Sequence, residues 1–156
     1  MIKAKRFILD TNVWIDYFCG FDPNRSIASL LELSAQGKAE VLYVPTSAKD
    51  VFYIIPRRLK RAVEGDGCSS ASYNEVAWAC LEAMMNLGTA APLSFAECEL
   101  ARMLKNTYND FEDNLILASG ETAQADYVVT NDGGMLKSMP ETCVTPARAL
   151  ILAQAL

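Results

Sequence analysis

Short apolar runs alternate with helix-period patterns along this chain, and that alternation limits its fold more than any other feature. Phe7 to Leu9 reads as a short buried strand, and Val13, Trp14, Tyr17 and Phe18 then fall at helical spacing. Asp22-Pro23 has the form of an N-cap with proline at the first helical position, opening a helix through Ile27, Leu30 and Leu31 that stops at Gly37. Val41 to Val44 is a second strand, and Ser47 is placed to cap a third helix with Ala48, Val51, Phe52 and Ile55 as its core stripe.

The second half repeats the pattern. "EGDGCSSA", Glu64 to Ala71, reads as a loop, and Ser72/Glu75 and Ser94/Glu97 each form a Ser-x-x-Glu capping box. Between those helices Ala90 to Leu93 is a short strand. Asp110 opens a helix, "DFEDNLILASGETAQ", in which Ala118, Ser119 and Gly120 permit close packing. Tyr127 to Thr130 is a strand followed by "NDGG", and a last strand at Cys143 and Val144 leads through Thr145-Pro146 into a C-terminal helix. Strands that alternate with helices imply a three-layer α/β/α sandwich around a central, mostly parallel sheet, with residues 1–156 forming one domain.

Composition removes several chemistries. The chain has no histidine, so the usual general base and the Ser-His and Cys-His nucleophile pairs are absent. Its five cysteines stand singly with no Cys-x-x-Cys pair, which reads as buried, reduced thiols and not as a zinc site. Hydrolysis by this chain must rest on carboxylates, a metal, or both. The net charge of −5 argues against nonspecific coating of nucleic acid. No apolar run approaches the roughly 20 residues of a membrane span, and the start lacks the charged–apolar–small order of a leader. A cytoplasmic location, with no membrane partner, is the expectation.

In an open parallel sheet, sites form beyond the carboxyl ends of the strands. Asp10 ends the first strand, and Asp132 lies just past "YVVT". Asp50 and Asp113 each sit three residues after an expected N-cap, Ser47 and Asp110. Taken singly, each has a structural reading: a helix cap for Asp10, turn chemistry for Asp132, and an answer to the helix dipole for Asp50 and Asp113. Taken together, they would bring four carboxylates to one end of the molecule, where a divalent cation offsets their repulsion.

"FILDTNVWIDYF" resembles the opening of PIN-domain nucleases, a strand ending in Asp followed by Thr or Ser and Asn. "DFEDNLILASGETAQADYVVTND" resembles that family's second signature, an aspartate opening a helix, a closely following strand and a Thr-x-Asp turn. The resemblance implies a PIN-like sandwich, a cluster of three or four acids, Mg²⁺ or Mn²⁺, and metal-dependent cleavage of RNA phosphodiesters. It also implies homodimers as a common state and, for the small bacterial VapC-type toxins, an inhibitory antitoxin protein. Asp10 matches the first family acid, Asp113 the third and Asp132 the fourth. These three would hold the metal. Asn12 matches the polar residue that supports the first acid, and Thr130 the polar residue two before the last. At the second acid the family has glutamate, and here the candidate is Asp50 in "PTSAKDVFY". Asp110 stands beside Asp113 as an alternative, with Asp113 the better match to the family helix.

Substrate contacts require positive charge. "PRRLKR", Pro56 to Arg61, is the densest basic run, and on a helix from Ser47 the residues Asp50, Ile54, Arg57 and Arg61 share one stripe. Arg57 and Arg61 are thus the candidates for phosphate contacts, unless Pro56 ends the helix. Tyr53 and Tyr108 are available for stacking on bases or for packing. Residues count against two other readings of a strand-end aspartate: a haloacid-dehalogenase-like phosphatase needs an acid where this chain has Asn12, and a phospho-accepting receiver domain wants adjacent acids after its first strand and a mid-chain aspartate at a strand end, neither of which is visible. The remaining alternative is a non-catalytic PIN-like module that binds RNA or protein.

Overall fold

A computed structural model of the chain describes residues 3–62 and 70–155. Its described strands are β1 (Lys5–Leu9), β2 (Ala39–Tyr43), β3 (Thr89–Ala90), β4 (Tyr127–Val129) and β5 (Cys143–Val144). They form one sheet in the order β3-β2-β1-β4-β5, and every pairing is parallel. The helices are α1 (Thr11–Cys19), α2 (Ser26–Ala35), α3 (Pro45–Ala62), α4 (Ser70–Leu87), α5 (Phe95–Met103), α6 (Phe111–Thr122), α7 (Gly133–Ser138) and α8 (Pro146–Gln154). A short 3-10 turn, Leu104–Asn106, follows α5.

The period of the strands divides the core into two layers. Successive side chains point to opposite faces of a sheet. Phe7 and Leu9 of β1 therefore join Trp14, Ile27, Leu30, Val51 and Ile55 on one side, while Ile8 joins Ile116, Leu117, Val128 and Met135 on the other. This is the three-layer sandwich expected from the alternation, with a sheet that is wholly parallel among the described residues. On the second side α6 lies close against β1. A Cβ added at Gly120 would stand 3.0 Å from Ile8 Cγ2 and 3.7 Å from Val128 Cγ2, so the small residues of "ASG" do permit the approach.

Several boundaries differ from the sequence expectation, each for a local reason. The second helix opens at Ser26 and not at Asp22-Pro23. Residues 22–25 form a turn in which Arg25 N–H donates to the Asp22 carbonyl, yet Asp22 Oδ2 still accepts from Ala28 N–H at 3.0 Å. Asp22 thus caps the helix from one turn further back. The third helix starts at Pro45, whose fixed φ suits a first helical position, so Ser47 lies inside the first turn and does not cap it. That helix runs through Pro56 to Ala62. Helix α4 begins at Ser70, which places Ser72 inside it and not at its cap; residues 64–69 of the expected loop lie outside the described residues. The strand expected at Ala90–Leu93 is the two-residue β3, one position earlier. Asp132 is not in a simple turn but is the N-cap of α7. The capping box at Ser94 and Glu97 is present as expected. No helix of the described residues is long and apolar enough to cross a membrane.

Candidate functional site

Strand order locates the crevice. From β1 the chain proceeds outward through β2 and β3 on one side, while β4 and β5 lie on the other. The connections therefore diverge between β1 and β4, and a parallel sheet opens a crevice at the carboxyl ends of such a pair. Asp10 follows β1 there, and Thr130, Asn131 and Asp132 follow β4.

Asp10 is 4% exposed, and its N–H donates to the Val129 carbonyl at 2.9 Å, which fastens the two strand ends together. It occupies the N-cap position of α1, but its side chain makes no capping hydrogen bond. Oδ2 instead accepts from the Thr130 hydroxyl at 2.6 Å. The same hydroxyl oxygen accepts from the Asp132 N–H at 3.0 Å and from Asn12 Nδ2 at 3.5 Å. A hydroxyl has one donor and two acceptor positions. With both acceptor positions filled by N–H groups, the Thr130 proton is committed to Asp10. Asn12 spans the crevice a second time, since its Oδ1 accepts from the Asn131 N–H at 3.3 Å, and Asn131 Nδ2 donates to Asp16 Oδ2 at 2.9 Å.

Burial raises the Asp10 carboxyl above its usual range, and the neighbouring charge of Asp132 adds to this; the Thr130 hydrogen bond and the Thr11 and Asn12 N–H groups oppose it. Asp132 has the opposite balance. Its Oδ1 accepts from the Met135 N–H at 2.8 Å and from the Tyr108 hydroxyl at 3.1 Å, and the first of these holds its carboxyl below the ordinary value. Tyr108, sheltered and beside that carboxylate, is pushed up to about 12 and stays a donor at any physiological pH.

Asp113 stands in the first turn of α6, and its own N–H is taken by the Asp110 carboxylate at 3.0 Å. Asp110 is therefore the cap of this helix and is exposed, while Asp113 is half-buried. The Asp113 carboxyl is raised to about 7, first by burial and then by the charges of Asp10, Asp110, Asp132 and Glu112. Cys143, buried beneath the crevice, registers the same field: burial first, then Asp10, Asp113 and Asp132, push its thiol up to about 11. Two separate groups thus place Asp10, Asp113 and Asp132 in one electrostatic neighbourhood.

Asp50 is placed differently. Its side chain is 14% exposed and pairs with Lys49 Nζ at 3.0 Å. A hydrogen bond with the Asp50 side chain is the largest of the effects raising the Glu112 carboxyl, so Asp50 lies against Glu112, beside the first group. Glu112 was not visible as a site residue in sequence, although its place two positions after Asp110 in "DFED" puts it in the first turn of α6. Tyr108, weighed above as a stacking or packing residue, proves to be the partner of Asp132. It lies in an irregular segment where no periodicity marks it. Arg57 and Arg61 are exposed on the unbroken α3, one turn apart.

The donor set suits a hard cation in its chemistry. It consists of carboxylates, and after burial it is the like charges of neighbouring acids that raise Asp113, so a divalent ion would relieve their repulsion. It is not a preformed cage. Among the described residues no group of three acidic or cysteine side chains stands ready to enclose an ion, in keeping with an Asp132 that is held by Met135 and Tyr108.

Comparison with known proteins adds one finding. A family model described as "PIN domain" matches residues 6–133, which takes in Asp10, Asp113 and Asp132. No curated protein matches the chain.

Proposed function

The chain belongs to the PIN-domain family, whose general activity is that of a nuclease, and from that premise we propose that it is a metal-dependent ribonuclease hydrolysing RNA phosphodiester bonds. The observation that carries this reading is the placement of Asp10 and Asp132 at the β1/β4 crevice, with Asp113 near enough that, after burial, their charges raise its carboxyl and all three act on Cys143. Burial and neighbouring charge disfavour the ionised forms of Asp10 and Asp113, and a cation there would offset that cost.

Asp10, Asp113 and Asp132 would hold Mg²⁺ or Mn²⁺. The ion supplies Lewis-acid polarisation of a phosphoryl oxygen and a bound water of lowered pKa. The chain's own residues do the rest. Thr130 and Asn12 fix the Asp10 and Asp132 segments against each other, so the two acids face the crevice from neighbouring strand ends. With no histidine in the chain, proton transfer falls to a carboxylate or to water on the ion. Arg57 and Arg61, on the helix that carries Asp50, contact the substrate backbone as guanidinium–phosphate pairs.

The test is cleavage of single-stranded and structured RNA with Mg²⁺, Mn²⁺ or EDTA, comparing wild type with Asp10→Asn and Asp113→Asn. Metal-dependent cleavage lost in both variants supports the reading. Absence of cleavage in every condition, together with no calorimetric Mn²⁺ binding, leaves a non-catalytic binding module in its place.

A further inference from the structure

Charge is unevenly shared along this acidic chain. Helix α3 holds five of the fourteen basic side chains and one of the nineteen acidic ones, which leaves nine and eighteen for the rest. Its exposed positions recur about one turn apart as Lys49, Tyr53, Arg57 and then Lys60 and Arg61, over about 18 Å of helix axis. Arg57, Lys60 and Arg61 make no ion pair among the described residues. The stripe begins at the acid site. Lys49 Nζ reaches Asp50 at 3.0 Å, and Asp50 lies against Glu112, next to Asp113 in the first turn of α6.

Aromatic rings stand beside these cations. Tyr53 is 55% exposed, and Trp78, on the neighbouring α4, is 51% exposed. Phe52 braces both: its ring meets Tyr53 edge-on with centroids 5.1 Å apart, and Trp78 in the same way at 4.9 Å. Rings braced before binding lose little freedom when a flat group stacks on them. On α4, Glu75 and Glu82 are exposed about one turn to either side of Trp78. A polyanion is therefore drawn to α3 and repelled from α4. The ligand that fits this face carries a line of negative charge along one side and flat rings along the other.

We propose, resting on the nuclease reading, that the α3–α4 face is a track for a single strand of RNA leading away from the acid site. Its phosphates run along Arg57, Lys60 and Arg61, and its bases turn onto Tyr53 and Trp78. Every base has a face to stack, so the track grips length and not sequence. A duplex keeps its bases stacked on one another and has none to give to the rings. The substrate is then RNA with several unpaired nucleotides flanking the cut on one side.

The chain's two tryptophans make the test direct, because Trp14 is fully buried and Trp78 is not. Intrinsic fluorescence in EDTA is titrated with oligo(A) of about eight nucleotides, with a hairpin duplex and with inorganic polyphosphate. The expected result is quenching by oligo(A) alone, with polyphosphate binding more weakly and without quenching. Anisotropy of end-labelled oligo(A) should show affinity lower by about five- to hundredfold in Tyr53→Ala and in Trp78→Ala. Arg57→Gln and Arg61→Gln should each reduce the slope of log K against log salt by about 0.7. With Mn²⁺, the two aromatic variants should raise KM on single-stranded RNA more than they lower kcat. Equal quenching by the duplex, affinity unchanged in both aromatic variants, or polyphosphate binding as tightly as oligo(A) overturns the track. So does a dimer of the free protein that Trp78→Ala dissociates, which gives the face to a second copy of the chain. Single-strand binding with these signatures by a protein that cleaves no RNA sustains the track and overturns the nuclease reading alone. Cleavage of RNA by a protein that shows none of them does the reverse.

Discussion

Thr130 donates its hydroxyl proton to Asp10 at 2.6 Å while accepting the Asp132 N–H at 3.0 Å, so one side chain at the end of β4 orients the first acid and the backbone of the last. Replacing the hydroxyl by a methyl in Thr130→Val keeps the shape and removes that side-chain donor to Asp10. The buried carboxylate then loses a charge-assisted bond, at a cost of about 1–3 kcal/mol. Urea denaturation at pH 7 should show that loss, and Thr130→Ser should recover most of it. Activity should follow the same order, falling in Thr130→Val and recovering in Thr130→Ser.

Asp113 makes metal-free stability depend on pH. Its carboxyl titrates at about 7 in the folded chain, against about 3.9 in the unfolded chain. Between those values the folded state holds more protons, so stability falls as pH rises from about 4 through about 7 and levels off above. Asp113→Asn removes that penalty. Because the side chain is only half-buried, screening limits the gain at pH 8 to about 1 kcal/mol, or about 2–4 °C in Tm. Thermal melts in EDTA should show the variant ahead of wild type at pH 8 and the two converging toward pH 4. Addition of Mn²⁺ at pH 8 should raise the wild-type Tm more than that of the variant.

Gly134 keeps the Tyr108–Asp132 bond in place. A Cβ there would stand 2.8 Å from the Tyr108 hydroxyl oxygen and 3.0 Å from Asp132 Oδ1. The tyrosine tip is the part able to move, so Gly134→Ala should displace it and leave the fold intact. Tyr108→Phe should match it by deleting the hydroxyl. Both variants should cleave RNA more slowly by about three- to tenfold, the range of one hydrogen bond, with circular dichroism unchanged. Full activity in both would remove Tyr108 from the positioning of Asp132.

How much of this was legible in sequence follows from the range of each interaction. Asp10, Asp113 and Asp132 were readable because each stands at an element boundary marked by local chemistry: an apolar run stopped by an acid, an N-cap three residues earlier, a strand followed by "NDGG". The alternation that sets the sheet was equally local. What failed to show was anything decided by packing between distant segments. The start of α3 turned on Pro45 and not on Ser47, whose hydroxyl faces Thr11 Oγ1 at 2.7 Å and is fully buried. That helix packs against α1 and α4 and continues through Pro56. The pairing of Tyr108 with Asp132 joins residues 24 apart in an irregular segment. Asp50 was recognisable as an acid near a helix start, but its turn toward Lys49 and Glu112 was not.

That last placement separates Asp50 from the other three acids in a measurable way. Glu112 is raised by its hydrogen bond to Asp50, then by burial, then by the Asp50 charge, while Lys49 opposes these. A raised carboxyl costs stability as pH rises through its folded value, so the pair weakens the protein toward alkaline pH. Glu112→Gln keeps a donor for Asp50 without the charge, and should stabilise the protein at pH 8 while changing little at pH 4. In the cleavage assay Asp50→Asn should retain more activity than Asp10→Asn or Asp113→Asn, because its carboxylate is turned onto Lys49 and Glu112. Equal loss in all three would mean that substrate or cation draws Asp50 away from Lys49 and into the crevice, and the Lys49→Met variant should then raise the activity of the wild-type acids.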